Sequence, residues 1–418
     1  MFDLDAWHEI WATLGANRLR TGLTAFGVVW GIMMLMAMLG FGSAMQVGTQ
    51  RQMAGLATNT LFVWGQTTTE PYMGMPTGRP IRFDLTDIEE IRRIPEVEAL
   101  APRIQLGGFM NSSTATYGGK TGTFQIFGDF PDFQKIVTQR YLAGRFLNQR
   151  DIDERRKVCV LGKAVIEQLY PPDVDPIGTY VKINGVYFQV VGKTASLRSG
   201  PQGDRDSNTI FIPFTTFQQA FHTGERVGFF AMTFKPTVDG SQIESTVKAL
   251  LARHHKFAPT DKLAVGSFNA FQVFNDISQF FVVLSLVVWI VGGATLVAGV
   301  IGVSNIMLIT VKERTKEIGV RKALGATPLS VIAMVMKESV VLTTIAGLIG
   351  VALGTGIIAL MAFVFEHAGP TMPFGPPDVG LGTALQAVFI LVVSGALAGI
   401  MPAAHAASIS PVEALRAE

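Results

Sequence analysis

Four stretches of this chain carry no Asp, Glu, Lys or Arg: Thr21 to Gln50, Ile277 to Val311, Ser339 to Phe365 and Val379 to Val412. A helix needs about 20 apolar residues to cross a hydrocarbon core roughly 30 Å thick. Each gap holds an apolar run of that order. One such run is compatible with a buried core helix; four, each flanked by charges, point to a membrane. The expectation is an integral membrane α-helical protein with four transmembrane helices, near 21–46, 278–311, 329–365 and 383–404. The remaining long segment, 47–277, forms a large extracytoplasmic domain inserted between helices 1 and 2. With 34 basic and 32 acidic residues the net charge is +2, which gives no footprint for nucleic acid.

A signal peptide does not fit the first run. Asp3, Asp5 and Glu9 precede it, and Leu23 to Met45 exceeds a typical signal-peptide core. Orientation follows from the cations. Arg18 and Arg20, then Lys312, Arg314, Lys316, Arg321, Lys322 and Lys337, then Arg416 fall on one side of an alternating arrangement, while the short loop 366–382 has no Lys or Arg. The positive-inside rule therefore places both termini and the segment around 312–337 in the cytoplasm. Leu4, Trp7, Trp11 and Leu14 recur at helical spacing, so residues 1–20 read as an amphipathic helix against membrane lipid. Residues 405–418 form a cytoplasmic tail.

Segment 47–277 reads as α+β. Tyr180 to Ile183 and Val186 to Val191 alternate around Asn184-Gly185, the strongest short-range hairpin signal. Further strands are expected at Leu61–Trp64, Phe124–Phe127, Val158–Leu161, Thr209–Ile212 and Ala231–Phe234. Thr86 with Glu89 and Ser241 with Glu244 have capping-box spacing, the second opening a helix to about His254. Ser199 to Asp204 reads as an exposed flexible loop. A strand-rich subdomain, 106–214, is expected to be inserted between the flanking portions. Cys159 stands alone, which excludes an intrachain disulfide.

Motifs for chemistry are mostly missing. Two P-loop near misses, ending in Gly119-Lys120-Thr121 and Gly192-Lys193-Thr194, each lack the first glycine and read as turns. No G-x-S-x-G elbow occurs, and the six histidines show no metal-ligand spacing, His254-His255 reading as cations at a helix end. No metal site, catalytic residue or resident cofactor is expected. Ion-coupled carriers keep ionisable groups at mid-membrane; these spans have none, so any work the protein does is powered from elsewhere. Small residues recur four apart at Gly27 and Gly31, at Ala294, Ala298 and Gly302, at Gly350 and Gly354, and at Gly395 and Gly399. This spacing lets helices approach closely, within one chain or between two copies.

The segment 312–328, between the second and third spans, is the most distinctive. Glu317 and Arg321 stand at the supportive i, i+4 spacing. Ile318, Val320 and Leu324 interrupt the charges, and Gly325 suits a helix stop before Pro328. Gly319 inside a helix costs about 1 kcal/mol relative to Ala, so a close contact is expected there.

The run Glu313-Arg-Thr-Lys-Glu-Ile-Gly-Val-Arg-Lys-Ala-Leu-Gly325-Ala resembles the signature of FtsX/MacB-type ABC permeases. Asn17 to Thr24, Glu338, the ending Ser410 to Arg416, and Leu161-Gly162, Pro176-Ile177-Gly178 and Asn184-Gly185 extend the resemblance along the chain. It implies that Glu313, Arg314, Glu317, Ile318, Gly319, Arg321, Lys322, Leu324 and Gly325 dock on a cytoplasmic ABC ATPase. That ATPase would be a separate polypeptide holding ATP and Mg. The resemblance further implies a second permease copy or paralogue. Mechanotransmission follows, with the Ile277–Val311 run, about 50 Å as a helix, continuing outside as a stalk. Export or efflux of a drug, peptide or lipophilic substrate, with a periplasmic membrane-fusion adaptor and an outer-membrane channel, is the leading role. The alternatives are a lipoprotein-extraction complex, one that regulates a cell-wall hydrolase, or, in another class, a non-transporting membrane scaffold.

Overall fold

A computed structural model describes residues 18–108, 111–367, 374–377 and 381–411. The stripe of Leu4, Trp7, Trp11 and Leu14, most of the loop 366–382, and the ending from Val412 to Arg416 lie outside them. Two compact units emerge: Met1–Gly48 with Phe280–Glu418, and Thr49–Gln279.

The first unit is built on long apolar helices: α1 (Arg18–Gln52), then, far along the chain, Ala270–Glu313, Pro328–His367 and Leu381–Ser408. Among the described residues, Ala25–Gln52, Ala270–Glu313 and Pro328–His367 are long and apolar enough to cross a membrane, and Val392–Ser408 forms a shorter apolar stretch. The helices overrun the charge-free gaps because charged and polar end turns continue the same hydrogen-bond ladder. Ala270–Glu313, at 44 residues, is about 66 Å long. Val28, Ile32 and Met36 on α1 are buried, while Phe26, Trp30, Val282, Leu286, Ile290 and Val297 are exposed. An apolar exterior of this kind suits lipid, where helices pack through close contact rather than the hydrophobic effect. Glycines make that contact possible. A Cβ on Gly354 would stand 2.6 Å from Met36 Cβ, one on Gly350 2.9 Å from the Val29 carbonyl oxygen, and one on Gly399 2.9 Å from Met336 Sδ. A Cβ on Gly395 would overlap Thr343, and Ser339 Oγ donates to the Gly395 carbonyl at 3.0 Å.

The second unit is α+β. Its strands are β1 (Thr60–Gly65), β2 (Phe83–Asp84), β3 (Val97–Gln105), β4 (Ser113–Tyr117), β5 (Lys120–Asp129), β6 (Arg140–Gly144), β7 (Val158–Gly162), β8 (Tyr180–Ile183), β9 (Val186–Ala195), β10 (Thr209–Pro213), β11 (Arg226–Val227), β12 (Phe229–Phe234) and β13 (Val265–Asn269). Its larger helices are α2 (Leu85–Arg92), α3 (Lys163–Leu169), α4 (Gly200–Ser207), α5 (Phe214–Phe221) and α6 (Gly240–His255). Hydrogen bonding runs β10-β7-β9-β8-β4-β5-β3-β12-β1-β13, and β10 also pairs with β5, so the strands between 113 and 213 close into a ring. The flanking portions form the sheet β3-β12-β1-β13, joined to the ring where Ile104 and Gln105 pair with Gly128 and Phe127. Phe124, Phe188, Phe217, Phe230 and Phe234 are fully buried in its main core. Cys159 is buried on β7, where burial drives its thiol pKa well above the usual value. The β8–β9 hairpin turns at Asn184 and Gly185 with φ of 42° and 92°, the positive values that a type I′ turn requires.

Three local expectations are corrected. The first capping box is not Thr86 with Glu89. Asp84 Oδ1 accepts from Thr86 N and Asp87 N, and Asp87 Oδ2 accepts from Asp84 N at 3.0 Å. Asp serves both ends of the box because its short carboxylate reaches the free amides of the first turn. At α6, Asp239 caps Ser241 N at 2.7 Å, while Glu244 turns sideways to Lys248, Ser267 and Asn269. Third, Ser199–Asp204 is not a flexible loop, for Gly200–Ser207 is helical, with Pro201 in the first turn where its fixed φ helps. Gly203 lies too close to the Arg198 carbonyl to admit a Cβ.

Candidate coupling site

Helices are numbered onward in chain order: α7 (Ala270–Glu313), α8 (Thr315–Ala323), α9 (Pro328–His367) and α10 (Leu381–Ser408). Only Arg314, with φ −97° and ψ 14°, interrupts the helical run between α7 and α8. Its guanidinium Nε lies 3.0 Å from Glu317 Oε2, and its Nη1 lies 3.4 Å from both carboxylate oxygens of the buried Glu338 on α9. Glu317 also receives Arg321 Nη2 at 3.0 Å. Arg321 reaches Met334 Sδ, and Lys322 Nζ donates to the carbonyls of Ala407 and Ile409 at 2.5 and 2.9 Å. A cation there complements the negative end of α10. Gly325, at φ 98°, closes α8 in the left-handed region that glycine accepts, with Ala326 N donating to Arg321 O.

These contacts give α8 two faces. Ile318 is 1% exposed, in a cluster with Val311, Val331, Val335 and Ala403. Gly319 is buried beside it. Glu313, Lys316, Glu317, Val320 and Leu324 are exposed, at the i, i+3, i+4 spacing of one helix face. Leu324 is 84% exposed and Val320 44%, large apolar groups between charges.

The small-residue positions divide. Gly350, Gly354, Gly395 and Gly399 are tightly packed, and Gly31 makes ordinary contact with Thr295. Among the described residues, Gly27 and Gly302 have nothing within 4 Å of a Cβ position, and Ala298 is exposed. Gly292 and Gly299 on α7, which the four-residue spacing did not pick out, pack instead against Leu35 and Val28.

One cluster escaped the sequence entirely. Asp87 Oδ1 lies 2.6 Å from His254 Nδ1 and 2.9 Å from His255 Nε2, and the three are close enough together to be considered as a cation site. Burial acts to raise the Asp87 pKa, but its hydrogen bonds, led by that to His255, hold it below the usual carboxylate value. His254 is raised by its own hydrogen bond to Asp87. The two histidines are adjacent, and Asp87 is 167 residues from His254, so no spacing rule could find them.

Residues 21–250 match the MacB-like periplasmic core domain and residues 278–411 the FtsX-like permease C-terminal domain. The macrolide export ATP-binding/permease protein MacB of Bdellovibrio bacteriovorus is 29% identical over 419 residues, covering 98% of this chain and 61% of that protein. The pyoverdine export ATP-binding/permease protein PvdT of Pseudomonas putida is 29% identical over 424 residues, covering 99% and 60%. The chain thus spans about three fifths of these relatives. The periplasmic region of MacB from Actinobacillus actinomycetemcomitans, a crystal structure, aligns with TM-score 0.43 and 18% identity over 54% of this chain and 95% of that one. Two matched domains that together run from residue 21 to 411 settle the lineage: this chain belongs to the FtsX/MacB-type family of ABC transporter permeases.

Proposed function

We propose that this chain is a mechanotransmission permease, in which an ABC ATPase docks on α8 and drives the outer domain through α7. The observation that carries the reading is the two-faced α8. Its inner face is tied to α9 and to the end of α10, while Val320 and Leu324 stand exposed among charges on the other. Exposed apolar groups rimmed by charge are the usual make-up of a docking surface. α7 leaves α8 through the single residue Arg314 and runs unbroken back to Ala270, so a displacement of α8 has a stiff element to travel along. On this reading the ATPase, with its ATP and Mg, is a separate polypeptide, and this chain catalyses nothing itself.

The same reading takes α10 as a fourth span and places both termini in the cytoplasm of an inner-membrane protein that works as a dimer. Two relatives at 29% identity are named as exporters of macrolides and of pyoverdine. Export of a drug, peptide or lipophilic substrate, with a periplasmic adaptor and an outer-membrane channel, is the role we assign.

Val320→Asp with Leu324→Asp tests the docking. Both positions are exposed, so the variant should insert and melt like wild type while losing co-purification of an ATPase from native membranes. Gly319→Leu, by contrast, would break the buried face. Undiminished ATPase recovery with the double variant would sink the docking surface. An intact mass from native membranes large enough to include the ATPase would sink the separate-polypeptide arrangement alone.

A further inference from the structure

The exposed side of the sheet β12-β1-β13 presents four aromatic rings. Along β1, Leu61 and Val63 point into the core, so Phe62 and Trp64 share the opposite face. Register puts Phe62 directly opposite Phe268 on β13 and Trp64 directly opposite Phe229 on β12. The Phe62 and Phe268 rings are 6.2 Å apart. A cavity of about 360 Å³ lies over this platform, lined also by Gln52, Met53, Leu56, Arg198 and Gln202. A second cavity of about 230 Å³ adjoins it through Phe62, Gln202 and Phe229.

Arg198 makes this more than an apolar hollow. Its side chain is only 10% exposed, and its single acidic neighbour, Asp206, lies 3.6 Å from Nη1. Nε and Nη2 are buried and, among the described residues, have no hydrogen-bond partner. Those two nitrogens form the side-on fork of a guanidinium. Arg103, in the wall of the second cavity, uses the same pair to grip Asp129 at 2.6 and 2.8 Å, showing what the fork does when it is filled. A buried cation with empty donors is costly unless something occupies them, and a carboxylate or other planar oxyanion satisfies both at once.

We propose that this cavity is a binding site for a flat aromatic or apolar ring carrying an anionic group. The ring lies on Phe62, Trp64, Phe229 and Phe268, and a turn of the Arg198 guanidinium brings Nε and Nη2, which are shut off from water at rest, to the anion. Its volume falls within the range of small-molecule pockets. A ring stacked among aromatic side chains gains from offset and edge contacts as well as burial. The inference does not rest on the ATPase reading, and binding is measured without nucleotide, so the two can fail separately.

The test uses the full chain in nanodiscs, with 2-naphthoate as probe and the uncharged 2-naphthamide as its control. Calorimetric titration, corrected with empty nanodiscs, should give one saturable naphthoate site per chain and about tenfold weaker binding of the amide. Arg198→Gln should weaken naphthoate by a similar factor and remove the preference for the anion. Phe268→Ala, at the partly exposed edge of the platform, should weaken both ligands while leaving the melting temperature within a few degrees. Non-saturable uptake equal to that of empty nanodiscs would overturn the site. Equal affinity for acid and amide, or naphthoate binding unchanged in Arg198→Gln, would overturn the anion-binding role of Arg198. If Arg198→Gln fails to fold, Phe268→Ala and the acid–amide comparison decide the matter alone.

Discussion

Arg314 joins the start of α8 to α9 through Glu338, its Nη1 lying 3.4 Å from each carboxylate oxygen. Glu338 is 5% exposed. Breaking a buried ion pair by removing one member costs up to roughly 3 kcal/mol. Glu338→Ala should therefore lower the melting temperature of the purified protein by several degrees. It should also loosen α8, read as faster amide exchange over residues 315–323. Arg314→Ala should cost more, because it also removes the ion pair with Glu317, and the double variant should lose less than the sum of the two, because both remove the Arg314–Glu338 contact. Additive losses would show that the pair is not the hinge between α8 and α9.

A pH dependence follows from the cluster at Asp87. Its hydrogen bond raises the His254 pKa above the usual histidine value. A raised folded-state pKa contributes stability that is fully present below the unfolded value, about 6.5, and lost as pH climbs through the folded one. The Asp87 pKa is lowered. Its contribution is present above about pH 3.9 and lost as pH falls through the folded value. Between roughly pH 4 and 6.5 both are in place. The outer domain should thus lose stability as pH rises from 6 to 8. His254→Asn should flatten that slope, read from melting temperature against pH on the full chain. A slope untouched by the substitution would mean that the pair does not govern it.

What could be read from the sequence follows what is local. Alternation along Val186 to Val191 and the Asn184-Gly185 turn depend on neighbours in the chain, and the hairpin falls where they put it. The charge pattern of 312–325 marked the candidate site. Its two faces were hidden, since Ile318 is buried by partners that only the folded bundle supplies. The Asp84–Asp87 box lay in plain view but uses Asp where Ser or Thr and Glu were sought. The aromatic platform was beyond reach for another reason. Phe62 meets Phe268, and Trp64 meets Phe229, only once strands from opposite ends of the domain are in register.

Glycine positions offer a contrast within the helical unit. A side chain at Gly354 must displace Met36, whose Cβ would stand 2.6 Å away, and neither helix can retreat without opening the core that holds Ile32 and Ile358. Gly354→Leu should therefore cut the amount of folded protein recovered from membranes severely, overpacking being costly where backbones are this close. At Gly302 nothing lies within 4 Å of the Cβ position, so Gly302→Leu should leave the single chain folded and its melting temperature nearly unchanged. If a second permease copy packs on that face of α7, as the dimeric reading allows, the same substitution should shift the population from dimer to monomer in native mass spectra. Folded yields that fall equally for both variants would refute the packing contrast. An intact dimer with Gly302→Leu would place the seam between copies elsewhere.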